Sequence, residues 1–328
     1  MIRPTGGFQM KRKMTVIDMH CDTLLESWRH PEQSFADGPT AVNLSLMREA
    51  GSLAQCFAMY IPWHGAELGP YEIMQQMYAN YITKMEENRE LIRPAYSAGD
   101  ILKNAEEGYL SSFLTIEDAA LIEGKIERID ECWEKGVRMI GLIWNYENCL
   151  AYPNSNDPQA HGKHLKEFGI DCVERMNKLG IIVDVSHLNE GGFYDVAKYS
   201  NKPFAATHSC ARALCDHSRN LTDDQLKVIG EKGGIVGVNF YGAFLNQNGS
   251  APTYRRIVEH LVYMGNKAGI DSIGFGSDFD GIDDNGELVN FGGFVRLLEE
   301  MQGSFTDDDI DKISHENVLR VMRDNIGE

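Results

Sequence analysis

Long apolar segments are absent from the sequence, and cysteines are few. No run of about 18 apolar residues occurs in the 328-residue chain, so no transmembrane helix is predicted. Residues 1–13 carry basic side chains without the apolar core of a signal peptide, so no secretion signal is predicted. The seven cysteines include no C-x-x-C pair, which is typical of a reducing compartment rather than of a disulfide framework. We therefore expect a soluble, cytoplasmic protein.

Basic residues are scarce as well. The chain has 31 lysines and arginines against 49 aspartates and glutamates, a formal net charge of −18. Such a surface favours solubility and repels phosphate backbones and anionic membranes, so neither nucleic acid nor membrane is an expected partner. No Gly-rich phosphate loop follows a predicted strand, which leaves nucleotide binding unsupported. Hydrophobic residues at 43% and charged residues at 24% exclude disorder, collagen and coiled coil.

Short β-rich apolar runs alternate with longer amphipathic stretches along the whole chain. The eight predicted strands are Thr15–Met19, Leu53–Ile61, Ser112–Ile116, Val137–Ile143, Ile181–Ser186, Pro203–Thr207, Gly234–Asn239 and Ser272–Gly276. The predicted helices are Tyr71–Asn88, Ile126–Lys135, His164–Leu179, Thr222–Gly230, Tyr254–Ala268 and Phe291–Gln302. This alternation predicts a parallel sheet, and eight strands can close a (β/α)8 TIM-like barrel. We expect residues 1–328 to form one barrel domain, with residues 1–13 as a basic N-terminal extension.

Chemically reactive side chains follow the ends of several predicted strands. They are His20, Asp22, Glu117, Trp144, Asn145, His187, His208 and Asp278. A barrel builds its active site at the carboxyl ends of its strands, whereas a doubly wound sheet concentrates such residues near one switch point. The distribution therefore favours the barrel, with its active site at that face. The loops 152–161 and 241–254 are expected to shape the pocket.

Three histidines and two acids in this set predict a metal site. His20 and Asp22 lie two residues apart in an extended segment, where alternation places both side chains on one face. Each residue alone has an ordinary explanation, such as a strand-capping hydrogen bond. Together with Glu117, His187 and His208 they form a donor set of nitrogen and oxygen atoms. Five ligands are too many for one tetrahedral zinc and suit two metal ions that share a carboxylate and activate a water.

Two further residues are candidates for contact with a substrate. Arg219 precedes a predicted helix whose N-cap is Thr222, and its guanidinium can bind a carboxylate in a fork, although a surface ion pair is equally compatible. Asp278 lies in the segment Gly276–Gly281 and can take or give a proton, or else close a turn.

These segments resemble the renal (membrane) dipeptidase family of zinc peptidases. The resemblance covers most of the chain, through D-x-H-x-D, the strand-end glutamate, G-I-I-V-D-V-S-H, T-H-S, S-R-N-L-T-D-D and G-S-D-F-D-G in that order. It implies a (β/α)8 barrel with two Zn²⁺ ions per chain that hydrolyses free dipeptides by a metal-bridging hydroxide, with tolerance for a D-residue at the C-terminal position. It also suggests a homodimer.

The resemblance also implies a role for each site residue. His20 and Asp22 would hold one zinc, His187 and His208 would hold the other, and Glu117 would bridge the two ions. Arg219 would bind the substrate carboxylate, and Asp278 would contact the substrate amine or carry a proton.

The sequence departs from the family pattern at Trp144, where a substrate-binding histidine is expected. Trp144 and Asn145 are both candidates to contact the substrate in its place. Adjacent residues of an extended segment point to opposite faces, so only one of them is expected to reach it, and Asn145 is favoured. Two other functions stay open: a related barrel metallohydrolase acting on another small amide or a lactone, and a non-catalytic binding protein with the same fold.

Overall fold

Eight parallel strands close into a barrel in the computed structural model, which describes residues 15–327. The described residues form nine strands: β1 (Val16–Cys21), β2 (Ser52–Tyr60), β3 (Ile92–Pro94), β4 (Leu110–Glu117), β5 (Met139–Gly141), β6 (Ile182–Asp184), β7 (Ala205–Ser209), β8 (Ile235–Val238) and β9 (Ile273–Phe275). Around the barrel the order is β1, β2, β4, β5, β6, β7, β8 and β9, and β9 pairs again with β1. The predicted extension at residues 1–13 lies outside the described residues.

Helices surround the barrel and cover the outer face of the sheet. They are α1 (Thr23–Arg29), α2 (Leu44–Glu49), α3 (Pro70–Glu87), α4 (Ala98–Glu106), α5 (Glu127–Glu134), α6 (Pro158–His161), α7 (Glu167–Leu179), α8 (Glu190–Tyr199), α9 (Asp223–Glu231), α10 (Gly242–Leu245), α11 (Tyr254–Ala268), α12 (Gly293–Met301), α13 (Asp307–Asp311) and α14 (Asn317–Ile326). None of the helices within residues 15–327 has the length and apolar character needed to cross a bilayer.

The predicted (β/α)8 barrel is confirmed, and each of the eight predicted strands overlaps one observed barrel strand. The prediction missed β3, a three-residue strand that ends in a proline and pairs only with the start of β4. Three residues are too few to show an alternating pattern, so the sequence carries no periodic signal for β3. All six predicted helices are present, and α11 has the predicted bounds.

Capping fixes the start of α9, just after the segment that carries Arg219. The Thr222 hydroxyl accepts a hydrogen bond from the Gln225 amide at 3.2 Å, and the Gln225 side chain accepts one from the Thr222 amide at 2.9 Å. This reciprocal pair is a capping box, so the predicted N-cap at Thr222 is correct. It sets the point at which the chain leaves the barrel mouth and enters the outer helical layer.

An apolar cluster fills the barrel interior and reaches its amino end. It combines inward-facing strand residues with side chains from α4 and α14, among them Ile17, Met19, Phe113, Met139, Ile182, Ile235, Ile101, Val318, Leu319 and Met322. The C-terminal helix α14 therefore closes the amino end of the barrel. The carboxyl end is the end at which this fold usually holds its active site.

Candidate metal centre and active-site cavity

The carboxyl ends of the strands bring the predicted site residues to one cavity. The cavity has a volume of about 470 Å³, and the predicted residues that line it are Asp22, Glu117, Trp144, Asn145, His187, Arg219 and Asp278. His20 and His208 are 2% and 1% exposed and lie beneath its floor, against Glu117. The structure thus gathers all the predicted site residues into a single cluster.

Glu117, the last residue of β4, is at the centre of this cluster. Its Oε1 atom is 2.8 Å from His187 Nε2 and 3.6 Å from His208 Nε2. Its Oε2 atom faces the other way and is 3.5 Å from His20 Nε2. Burial raises the pKa of the Glu117 carboxyl to about 7, which shows how poorly solvated this group is without a cation. Each carboxylate oxygen is directed at a different set of histidines.

A register shift in β1 turns His20 towards the cluster. Met19 packs inside the barrel, and strict alternation would point the next side chain outward. The pairing of β1 with β2 is irregular between Asp18 and Cys21, and His20 Nε2 comes within 3.6 Å of Asp22 Oδ2. Bulges of this kind re-aim side chains beside active sites.

A similar irregularity in strand pairing occurs in β7. The pairing of β7 with β8 is irregular between Ala206 and Ser209, and the neighbours Thr207 and His208 both take part in the buried polar network. His208 Nε2 is 3.0 Å from His187 Nε2, and the His208 ring stacks on the His20 ring at 3.9 Å between centroids. His208, in β7, therefore contacts both His20, in β1, and His187, in the segment that follows β6.

The donor set fits divalent metal ions. Among the described residues, His20–Asp22–Glu117 and Glu117–His187–His208 are two groups whose ligand atoms lie within 4.8 Å of one another, and His20–His208–Asp278 is a third. His20 Nε2 and Asp22 Oδ1 are buried without a hydrogen-bond partner. Such unpartnered buried atoms are costly unless a cation meets them. Imidazole and carboxylate ligands suit zinc and its neighbours in the first transition row.

Electrostatics around the three histidines is consistent with this fit. Burial lowers the pKa of His187 and of His208 well below the usual value, which keeps both rings in the neutral form that binds metal. Burial acts in the same direction on His20, but the Glu117 and Asp22 carboxylates overcome it and hold the pKa of His20 well above the usual value. The two carboxylates that favour a proton on His20 would equally favour a metal ion in its place.

Arg219 lines the cavity as a buried cation. It is 5% exposed, and its Nη atoms donate to the backbone carbonyls of Ser186 and His208. Its Nε atom is buried and unpartnered, and no ion pair joins Arg219 to a carboxylate within residues 15–327. A buried guanidinium without a counter-ion is expensive, so this position is suited to an anionic group that enters from the cavity.

Asp278 is held at the mouth in a left-handed backbone conformation, with φ at 64°. The fully buried Asn239 donates from Nδ2 to Asp278 Oδ2 at 2.9 Å. The other oxygen, Oδ1, is 3.7 Å from His20 Nε2. Burial raises the pKa of Asp278, so its carboxyl takes up a proton more readily than an exposed aspartate.

Trp144 and Asn145 both line the cavity, and which of them contacts the substrate stays a prediction. β5 ends at Gly141, and the chain bends through residues 144–146, so the alternation of an extended strand does not apply. Asn145 Oδ1 is 3.2 Å from His187 Nδ1. The Trp144 ring packs on Tyr60 at 4.9 Å between centroids and forms part of the cavity wall.

Sequence reasoning missed several residues of this site. Asn239, which holds Asp278, is the last residue of the predicted strand Gly234–Asn239 and could have been found by the strand-end rule. Asp280 also lines the cavity and accepts hydrogen bonds from Thr23 and from the Ala41 and Val42 amides. Loop 241–254 contributes Tyr241 and Phe244, as expected, whereas loop 152–161 borders a different cavity.

Fold and site together define a class of protein. A (β/α)8 barrel whose strand ends gather imidazoles and carboxylates around a shared glutamate, next to a buried arginine, is typical of metal-dependent hydrolases. Comparison with known proteins identifies the family within this class.

The family model described as "Membrane dipeptidase (Peptidase family M19)" matches residues 8–326. A dipeptidase from Aspergillus oryzae is 33% identical over 240 residues, which cover 72% of this chain and 57% of the fungal protein. A crystal structure of an M19 dipeptidase superposes with a TM-score of 0.89 at 29% identity and covers 97% of this chain and 100% of that one. A metallopeptidase from Rhodobacter sphaeroides, liganded with a phosphinate mimic of L-Ala-D-Ala, gives a TM-score of 0.88 at 28% identity over 95% of this chain and 99% of its own.

The chain therefore belongs to the membrane dipeptidase family, peptidase family M19. It is a metallo-dipeptidase, a hydrolase of peptide bonds, and the resemblance noted in its sequence is confirmed.

Proposed function

We propose that this protein is a binuclear zinc dipeptidase that cleaves free dipeptides and accepts a D-residue at the C-terminal position. One observation carries the proposal: the two oxygens of Glu117 face different histidines, Oε1 towards His187 and His208 and Oε2 towards His20. In this assignment His20 and Asp22 would hold one zinc, His187 and His208 would hold the other, and Glu117 would contribute to both sites. When bound, zinc supplies Lewis acidity and lowers the pKa of a water molecule at the site.

Asp278 is the proposed proton carrier. Asn239 occupies its Oδ2 atom, so Oδ1, which faces the cluster, is free to accept a proton from the attacking water. The same atom then returns the proton to the nitrogen of the departing amino acid, as general acid–base catalysis of amide hydrolysis requires. The raised pKa of Asp278 favours this second step, because the protonated form is populated closer to neutral pH.

Arg219 is the proposed recognition residue for the free carboxylate. The buried guanidinium donates to two backbone carbonyls and lies 5.3 Å from the centroid of the Phe244 ring, and no carboxylate within residues 15–327 forms an ion pair with it. A dipeptide carboxylate would supply the missing counter-charge. A C-terminal amide cannot supply that charge. This requirement limits substrates to peptides that end inside the cavity, and the volume of about 470 Å³ suits a dipeptide.

Trp144 and Asn145 complete the substrate site in this proposal. Trp144, packed on Tyr60, forms an apolar wall beneath the substrate. The Asn145 amide nitrogen is a candidate donor to the charge that develops on the carbonyl oxygen, an interaction that typically contributes about 10²–10³ to kcat. The D-residue assignment rests on the Rhodobacter sphaeroides relative, whose ligand mimics L-Ala-D-Ala.

A dipeptide library tests the proposed function. Zinc-loaded protein is assayed with L and D residues at the second position, each as the free acid and as the C-terminal amide, and its zinc content is measured in parallel. We expect two zinc ions per chain, cleavage of free acids with either configuration, and no cleavage of amides. Equal turnover of the amides would instead support a hydrolase of other small amides or lactones, and two bound zinc ions without any turnover would support a binding protein.

A further inference from the structure

The two histidines assigned to the second zinc are both hydrogen-bonded at the ring nitrogen that faces away from Glu117. His187 Nδ1 lies 3.2 Å from Asn145 Oδ1, and His208 Nδ1 lies 2.8 Å from Thr207 Oγ1. The direction of these hydrogen bonds decides which nitrogen of each ring carries the proton, because a neutral imidazole has one donor and one acceptor.

At His187 the direction follows from the partner. An amide oxygen can only accept, so His187 Nδ1 must donate to Asn145. The Nε2 atom of the same ring is then an acceptor with a free lone pair, and it is the atom that lies 2.8 Å from Glu117 Oε1.

At His208 the direction of the hydrogen bond is decided by the Asp184 carboxylate, which contacts Thr207. Thr207 Oγ1 donates its single proton to Asp184 Oδ2 at 2.7 Å, so it can only accept from His208 Nδ1. Asp184 is itself fixed, since its Oδ1 atom accepts from the Ser186 amide and hydroxyl and from the Thr207 amide. The His208 ring therefore also carries its proton on Nδ1 and presents a lone pair on Nε2.

With both rings so fixed, the two Nε2 lone pairs face each other at 3.0 Å beside a carboxylate. The two lone pairs and the Glu117 carboxylate repel one another unless a cation balances them. We infer that Asn145 and Thr207 are positioning residues, which set the tautomer and orientation of His187 and His208 for the second zinc. The inference rests on the proposed two-zinc function and assigns Asn145 a role through its oxygen, separate from any contact of its nitrogen with substrate.

Zinc affinity tests the proposed role of Thr207. It is measured by adding zinc to metal-free protein in competition with a chelator. Loss of a group that orients a ligating histidine typically weakens metal binding about 10–100-fold. Thr207→Val should show a loss of this size for one of the two zinc ions, and Thr207→Ser should retain wild-type affinity because it keeps the hydroxyl. Thr115→Val is the matched control: Thr115 is also a buried strand threonine, but its hydroxyl donates to the Phe57 carbonyl.

The proposed role of Asn145 can be tested independently. Asn145 is exposed, so its substitution does not remove buried packing. Asn145→Ala should weaken one zinc ion about 10–100-fold, whereas Asn145→Asp keeps an acceptor for His187 Nδ1 and should bind zinc at least as tightly as wild type. Asn145→Asp also removes the amide donor, so it separates the histidine contact from the proposed contact with substrate. Asn156→Ala, at another exposed asparagine, is the control and should leave both affinities unchanged.

The outcomes are distinct. If wild-type protein binds no zinc, both the proposed function and this inference are wrong. If wild type binds two zinc ions and both Asn145→Ala and Thr207→Val bind them equally tightly, the inference is overturned and the proposed function stands. If Thr207→Val does not fold, as judged by circular dichroism, the Asn145 pair decides alone.

Discussion

The two ends of the barrel differ in the kind of side chain that they bury. At the carboxyl end, carboxylates, imidazoles and a guanidinium are buried together, and the described residues include buried polar atoms without partners, at His20, Asp22 and Arg219. Asp278 and Asp280 there adopt left-handed backbone conformations, with φ at 64° and 65°, which favour glycine. These features destabilise the folded protein, and they persist because the surrounding structure holds them in place.

The amino end has the opposite character. Its interior contains an apolar cluster, in which α14 packs Val318, Leu319 and Met322 against the strand residues from below. Burial of such side chains contributes about 1.5–3 kcal/mol each. The predicted site residues all lie at the carboxyl end and the apolar interior cluster reaches the amino end, so substitutions at the two ends should separate activity from folding.

Metal removal should produce the largest effect, and only at the carboxyl end. A strong chelator is expected to reduce dipeptide turnover to background, because the proposed chemistry depends on the bound ions. Zinc, cobalt or manganese should each restore activity, since nitrogen and oxygen ligand sets accept several divalent ions. Circular dichroism should show that the barrel stays folded throughout. Full turnover by protein shown to be metal-free would contradict the mechanism.

Asp278→Asn should have the next largest effect. Removal of a general acid–base typically lowers the rate about 10²–10⁴-fold, and we expect a loss of that order in kcat with both zinc ions still bound. Steady-state kinetics and metal analysis on the same sample provide the check. Asp284→Asn, at an exposed position in the following loop, is the control and should leave kcat unchanged. An Asp278→Asn protein that holds only one metal ion would make Asp278 a ligand instead.

Arg219 substitutions should act mainly on substrate binding. Hydrogen bonds to charged groups contribute about 1.5–3 kcal/mol, so Arg219→Ala should lower kcat/KM on free dipeptides about 10–100-fold. Arg219→Lys should be impaired as well, because lysine keeps the charge and loses the forked geometry. The unfolding midpoint in denaturant separates this loss from misfolding. A folded Arg219→Ala protein with wild-type kcat/KM would remove the carboxylate-binding role.

Leu319→Ala should show the reverse pattern at the amino end, with the smallest effect on activity. Leu319 is 3% exposed in the interior cluster, and truncation of such a leucine typically destabilises a protein by about 2–5 kcal/mol. Urea unfolding should report this loss, while kcat/KM of the folded fraction stays at the wild-type value. Leu102→Ala, at a leucine that is 37% exposed, should change stability by less than about 0.5 kcal/mol. A catalytic defect in Leu319→Ala would show that the two ends are coupled.

Much of the fold and the membership of the site could be predicted, because both depend on local pattern. Alternating apolar runs and amphipathic stretches indicated all eight barrel strands, and their reactive ends pointed to one face. The short strand β3 had no comparable signal, and the strand-end rule, which could have pointed to Asn239, could not have given its contact with Asp278. The alternation of an extended strand could not place Trp144 and Asn145, because the strand ends at Gly141.

The sequence by itself determined the order of strands and helices, the chemistry of the donor set and the family of the protein. Those properties depend on residue types and on short spacings along the chain, which are present before the chain folds. Only the tertiary structure decided the orientations: the bulges that turn His20 and His208 inward, and the hydrogen bonds that fix His187 and His208. Asn145 and His187 are 42 residues apart, and their contact exists because the parallel pairing of β5 with β6 brings the two strand ends together.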